Sequence, residues 1–91
     1  MATIFVPTPM RKVTGGQNKI QIQAATVQEA IDTANTSYPG FRERILDNDG
    51  EIKRFINVFV NGVDVRTLQG RGTPLEDKDE VAVIPAMAGG Q

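Results

Sequence analysis

One amphipathic helix set among short β-patterned runs constrains this chain more than any other feature. Thr26-Val27-Gln28-Glu29 is a capping box, in which the Thr26 hydroxyl accepts from the amide three residues on while Glu29 reaches back. Behind it, Val27, Ala30, Ile31, Ala34 and Tyr38 fall at i, i+3, i+4, i+7 and i+11, which is one face of an α-helix. Gln28, Glu29, Asp32, Thr33 and Asn35 occupy the other face, and Pro39-Gly40 stops the run. The spacing predicts a helix over Val27–Ser37. Such a stripe could meet a partner, but mostly small and aliphatic positions are what a helix needs to cover a sheet.

The rest of the chain reads as strands and turns. Residues 2–7 form an apolar β-rich run, stopped by Pro7 and Pro9, which cannot donate to a ladder. A polar turn region over residues 11–18, centred on Gly15-Gly16, leads to Lys19-Ile20-Gln21-Ile22-Gln23, whose strict alternation marks a half-buried strand. The two runs form a hairpin with a long loop. Residues 41–46 fit a short helical turn with Phe41 and Ile45 inward, and Asp47-Asn48-Asp49-Gly50 is a run of turn formers that lacks the later ligands of a calcium loop. Residues 54–60 form a strand with Ile56, Val58 and Val60 on one face. Asn61-Gly62 is then a strong hairpin signal with Val63-Asp64-Val65 returning. A glycine-rich loop over residues 67–73 and an acidic turn lead to a last strand, Val81-Ala82-Val83-Ile84. One helix and a mixed sheet give a two-layer α+β domain, in which the last strand can lie beside the first in the middle of the sheet. The expected division is a domain over residues 1–85 and a flexible tail over residues 86–91.

Composition narrows the chemistry. The 91 residues are enough for one modest core. Lys and Arg number 10 against 11 Asp and Glu, a balance that argues against nucleic acid as the main partner. Basic residues do cluster at Arg42-Arg44 and Lys53-Arg54, but Glu43, Asp47, Asp49 and Glu51 interleave with them as on a solvated surface. No apolar run is long enough to span a bilayer and no secretory signal opens the chain, so the expectation is a cytoplasmic protein that binds no membrane. There is no Cys and no His, which excludes thiolate metal sites, a Cys nucleophile and the usual neutral-pH base. No P-loop or GxSxG elbow is present either, so the chain reads as acted upon rather than as an enzyme.

Chemistry is concentrated in the small-residue tail, Pro85-Ala86-Met87-Ala88-Gly89-Gly90, followed by Gln91. Glycine has no Cβ, so it threads narrow clefts and leaves its carbonyl open to attack. A glycine carboxylate can be activated as an acyl-adenylate and passed to sulfide, a thiol or an amine. The alternative is a frayed terminus without a role, the commonest state of chain ends.

Three segments together carry a resemblance over essentially the whole chain: Pro7-Thr8 with Thr14-Gly15-Gly16-Gln17, Arg54-Phe55-Ile56-Asn57-Val58-Phe59-Val60-Asn61 with Asp64-Val65-Arg66, and Leu75-Glu76-Asp77-Lys78-Asp79-Glu80 running through Ile84-Pro85 to Gly89-Gly90. The chain resembles the ubiquitin-like β-grasp sulfur carriers of the ThiS/MoaD type, most closely the branch serving thiocarboxylate-dependent cysteine biosynthesis. The resemblance implies a carrier that holds no cofactor itself. A ubiquitin-activating-like adenylyltransferase uses ATP on the Gly90 carboxylate, and a sulfur donor displaces AMP to leave a thiocarboxylate. On a PLP-dependent cysteine-synthase-like enzyme that sulfur attacks an aminoacrylate, and a JAB-type metalloprotease clips the adduct from Gly90. Ala86, Met87, Ala88 and Gly89 are the residues that thread the partners' active sites.

Two departures stand out. The family often carries Gly where Lys78 stands in the acidic turn, and Gln91 follows Gly90 and must be removed before activation, an expectation that falls on the same peptidase. Strand alternation puts Val81 and Val83 on one side and Ala82 and Ile84 on the other. If the valines face the helix, Ile84 is either an exposed partner contact near the root of the tail or is covered by neighbouring segments. Three functions remain open on sequence: a sulfur carrier, a modifier forming isopeptide bonds from Gly90 to lysines, and an interaction domain with an inert end. Carriers of this shape also serve thiamin and molybdopterin synthesis.

Overall fold

The two β-patterned runs at the start of the chain pair with one another. In the computed structural model, which describes residues 1–85, β1 (Ala2–Phe5) and β2 (Lys19–Ile22) run antiparallel, with Ala2 opposite Ile22 and Phe5 opposite Lys19. β1 is shorter than the apolar run, because Pro7 has no N–H and the chain folds into a 3-10 turn at Thr8–Met10. Between the strands, the buried Thr14 hydroxyl lies 2.9 Å from the Gln17 carbonyl and closes the glycine turn.

The helix α1 occupies Val27–Ser37, as its spacing predicts, and α2 follows at Phe41–Ile45. The Thr26 hydroxyl accepts from the Glu29 amide at 3.1 Å, while the Glu29 carboxylate reaches back one residue further than a simple capping box, to the Ala25 amide. Thr26 itself is held in a bridge with Pro74, so the Val27 amide, an orphan donor of the first turn, bonds the Thr73 carbonyl at 3.0 Å.

β3 (Ile56–Val60), β4 (Val63–Asp64) and β5 (Glu80–Pro85) complete a sheet of order β2-β1-β5-β3-β4. Three boundaries differ from the sequence expectation, each for a local reason. The strand expected from residue 54 starts at Ile56, because the Ile56 amide bonds the Lys53 carbonyl and closes a turn that keeps Arg54 and Phe55 out of the ladder. β4 stops at Asp64, whose carboxylate accepts from the Arg66 amide at 2.8 Å and turns Val65 into the core. The loop expected over residues 67–73 contains much of two 3-10 turns, Val65–Thr67 and Gly70–Gly72. The buried Thr73 hydroxyl organises the second by donating to the Gly70 carbonyl and accepting from the Gln69 amide. The Asn61-Gly62 hairpin stands as read, with both residues at positive φ (51° and 87°).

The core lies between the sheet and α1. Ile4, Val58, Val81 and Val83 supply its sheet side, Val27, Ala30, Ile31 and Ala34 its helix side, and Phe41 and Ile45 close it. Each of the larger side chains adds about 1.5–3 kcal/mol by leaving water. This is the expected α+β arrangement of a mixed sheet on one main helix.

Candidate functional site

β5 is the central strand, and its two ends are held differently. Its first half pairs on both sides, parallel to β1 through Phe5 opposite Ala82 and antiparallel to β3 through Val60 opposite Val81. Beyond Ala82 only β3 accompanies it, with Asn57 opposite Ile84 and Ile56 opposite Pro85. β1 has turned away at Pro7, and a groove opens on that side of Val83, Ile84 and Pro85. The sequence-predicted tail residues Ala86, Met87, Ala88, Gly89, Gly90 and Gln91 lie outside the described residues. The structure therefore describes the strand from which they issue.

Alternation along β5 falls as its sequence implies. Val81 and Val83 are buried against the helix layer, while Ile84 points away from it and is 48% exposed. The same solvent-facing side carries Phe5, Ala82 and Phe59 in register across β1, β5 and β3. The Lys19 ammonium stands 6.0 Å from the Phe5 ring at one edge of this row. An apolar stripe thus leads across the sheet to Ile84.

The turn into β5 is fastened by polar groups. The Asn61 side chain accepts from the Glu80 amide at 2.9 Å and donates to the Asp79 carboxylate at 3.0 Å. The other Asp79 oxygen accepts from the Glu76 amide at 2.8 Å, and these two hydrogen bonds, the backbone one first, hold the Asp79 carboxyl below its ordinary pKa. At the opposite end of the sheet the Arg66 guanidinium bonds the Asn57 side chain and the Ile56 and Lys53 carbonyls, fixing the start of β3 beside Pro85. Neither fastening carries a local sequence signal, since the partners lie up to 19 residues apart. Phe5, Arg11 and Lys19 are likewise brought to the root of the tail only by the parallel β1–β5 pairing.

Among the described residues, no group of three or more His, Cys, Asp or Glu side chains could hold a metal ion. No helix among them is long and apolar enough to cross a membrane. Buried polar side-chain atoms among them all have hydrogen-bond partners.

A central strand that ends beside an apolar sheet face and runs on towards a glycine pair defines a class of small β-grasp proteins. The chain belongs to the ThiS family, whose model matches residues 4–90. It is 38% identical over 90 residues to the sulfur carrier protein CysO of Mycobacterium tuberculosis, covering 97% of each chain. It is 41% identical over 66 residues to small archaeal modifier protein 3 of Haloferax volcanii, covering 72% of this chain and 71% of that one. The crystal structure of the Amycolatopsis orientalis BexX/CysO complex matches with a TM-score of 0.92 at 34% identity, over 96% of this chain and 97% of that chain. The fold is the ubiquitin-like β-grasp.

Proposed function

We propose that this chain is a sulfur carrier whose working group is the carboxylate of Gly90, exposed once a peptidase hydrolyses the Gly90–Gln91 bond. An adenylyltransferase joins that carboxylate to the AMP of ATP, releasing pyrophosphate. Hydrosulfide attacks the acyl carbon, AMP leaves, and the chain ends in a thiocarboxylate. ATP and sulfide are consumed at the partner enzyme, and the carrier holds no cofactor and performs no catalysis of its own. The acceptor is the substrate of a PLP-dependent cysteine-synthase-like enzyme, with a JAB-type metalloprotease releasing cysteine and trimming Gln91. The reading is of a cytoplasmic co-substrate.

The observation that carries the reading is the placement of β5. A tail rooted in the central strand of a packed sheet keeps a fixed origin, while Ala86, Met87, Ala88 and Gly89 are small or unbranched enough to enter a narrow channel. The apolar stripe through Phe5, Ala82, Phe59 and Ile84 offers a docking face beside that root. Likeness to CysO over nearly the whole chain supports the cysteine branch.

Intact-protein mass spectrometry of the chain incubated in host extract with ATP and sulfide tests this. The expected result is loss of one glutamine residue followed by a gain equal to replacing oxygen with sulfur. Retention of Gln91 and an unchanged mass overturn it. The match to an archaeal modifier protein favours a second reading, in which the activated Gly90 is joined to lysines of other proteins. Denaturing gels of the same extract distinguish it by a ladder of lysine-linked conjugates.

A further inference from the structure

Pro85, the last described residue of β5, lies between two grooves. The first is bordered by Phe5, Pro7 and Ile84 and carries Arg11 and Lys19. The second is bordered by Pro9, Met10 and Phe55 and carries Arg44 and Lys53. Among the described residues, no acidic one lines either groove. Two other grooves do mix the signs, one pairing Arg71 with Glu51 and the other, which adjoins the second groove through Lys53, setting Arg42 and Lys53 beside Glu43 and Asp47. Among the described residues, Arg11, Lys19, Arg44 and Lys53 form no ion pair.

Two of the acids that interleave with these cations in sequence have other partners. Glu51 reaches Arg71 at 3.1 Å, and one Asp47 oxygen accepts from the Asp49 and Glu51 amides. The acidic turn of Glu76, Asp77, Asp79 and Glu80 lies at the far end of β5, beside the start of β1. A nearly neutral chain is therefore polarised along its central strand, with cations gathered around the end from which the tail issues.

We infer that the partner surface receiving the tail carries carboxylates on both sides of its channel mouth, one set facing Arg11 and Lys19 and the other facing Arg44 and Lys53. This rests on the carrier reading and adds the charge of the partner to it. Exposed rim charges of this kind steer encounter and set orientation, with an effect that fades as salt rises. Apolar contact through Ile84 then holds the docked pair. Two unlike grooves flanking Pro85 make the recognition two-sided, so the tail is aimed as well as attracted.

The test uses the chain ending at Gly90 and the host's adenylating enzyme, purified by its ATP–pyrophosphate exchange with that chain. Lys19→Gln/Lys53→Gln removes one cation from each groove, and Lys78→Glu at the acidic end makes the same change in net charge. At low ionic strength the double variant is expected to raise the KM for the chain about tenfold with kcat unchanged, the gap closing as salt is added. Lys78→Glu should leave KM within about twofold, since its charge lies away from the docking end. Thermal melts establish that all three chains fold. A double variant with the parent's KM and salt slope overturns the acidic-mouth inference while the carrier reading stands, because the parent chain has been turned over. Absence of any exchange with the parent chain in host extract overturns both. Sedimentation of the parent as a low-salt oligomer that the double variant abolishes assigns the cations to a second copy's acidic turn, and also overturns it.

Discussion

The two ends of β5 are built for opposite purposes. At its start, β5 has a strand on either side, and Asn61 and Asp79 tie the entering turn to the β3–β4 hairpin. At its other end the β1 side carries a groove, Ile84 stands in solvent, and cations that pair with no acid among the described residues surround Pro85. The first end fastens and the second presents. On the carrier reading, the difference lets a chain without Cys or His serve covalent chemistry: the fold has only to fix where the strand stops, and the proposed reacting carboxylate of Gly90 follows five residues beyond Pro85.

Two substitutions of the same kind, three residues apart on β5, break the comparison most sharply. Val81→Asp buries an unpaired carboxylate in the middle of the sheet, and is expected to cost about 4 kcal/mol or more and to abolish the cooperative thermal transition. Ile84→Asp places the same group in solvent, and is expected to change stability by no more than about 0.5 kcal/mol. It should nonetheless lower activation of Gly90 about tenfold, by setting a charge in the apolar docking face. Normal activation of an Ile84→Asp chain would sink the contact reading while leaving the account of the fold intact.

Acid should separate the two ends next. The folded-state pKa of Asp79 lies below its ordinary value, so the unfolded chain binds this proton more tightly. The stabilisation it gives is fully present above the ordinary carboxylate pKa, near 4, and is lost as pH falls towards the depressed folded value. Asp79→Asn cannot accept from both Glu76 and Asn61 as the carboxylate does. It is expected to lose about 1 kcal/mol at neutral pH and to show a shallower decline below pH 4. Urea midpoints measured from pH 3 to 7 check this. A variant declining in parallel with the parent would mean that the Asn61–Asp79 fastening is not what holds the start of β5.

What the sequence made legible was local. The bounds of α1 follow from one capping box and one period, and the Asn61-Gly62 turn from a dipeptide. The place of the last strand beside the first, in the middle of the sheet, was also within reach, because one helix and few strands leave little topological freedom. The polar fastenings were not legible. Thr73 organises a 3-10 turn and docks the first turn of α1, yet in the sequence it is one threonine after a glycine-rich stretch. Arg66 reaches groups 9 to 13 residues away, and only the folded β3–β4 corner brings them together. The cations around Pro85 were half visible: Lys53 lies in an evident basic cluster, but Arg11 and Lys19 are over sixty residues from the strand end they flank. Interleaved acids made the cluster read as a solvated surface. The fold turns Asp47 and Glu51 to other partners.

The smallest expected effect lies at Lys78, where this chain departs from the glycine common among the carriers it resembles. Lys78 sits at φ 74°, left-handed backbone in which a Cβ crowds the neighbouring peptide, and its amide donates to the Met1 carbonyl at 3.0 Å. Glycine removes that crowding but gives the unfolded chain more freedom, so the two effects partly cancel. Lys78→Gly is expected to be stabilising by about 0.5 kcal/mol, seen as a higher urea midpoint at unchanged slope. Lys78→Ala separates backbone from charge. It keeps the Cβ, removes the cationic side chain that stands among Glu76, Asp77, Asp79 and Glu80, leaving them the Met1 ammonium beside Asp77, and should therefore fall slightly below the parent. If alanine and glycine shift the midpoint equally, relief of backbone strain is not the cause, and the turn into β5 tolerates a side chain there without cost.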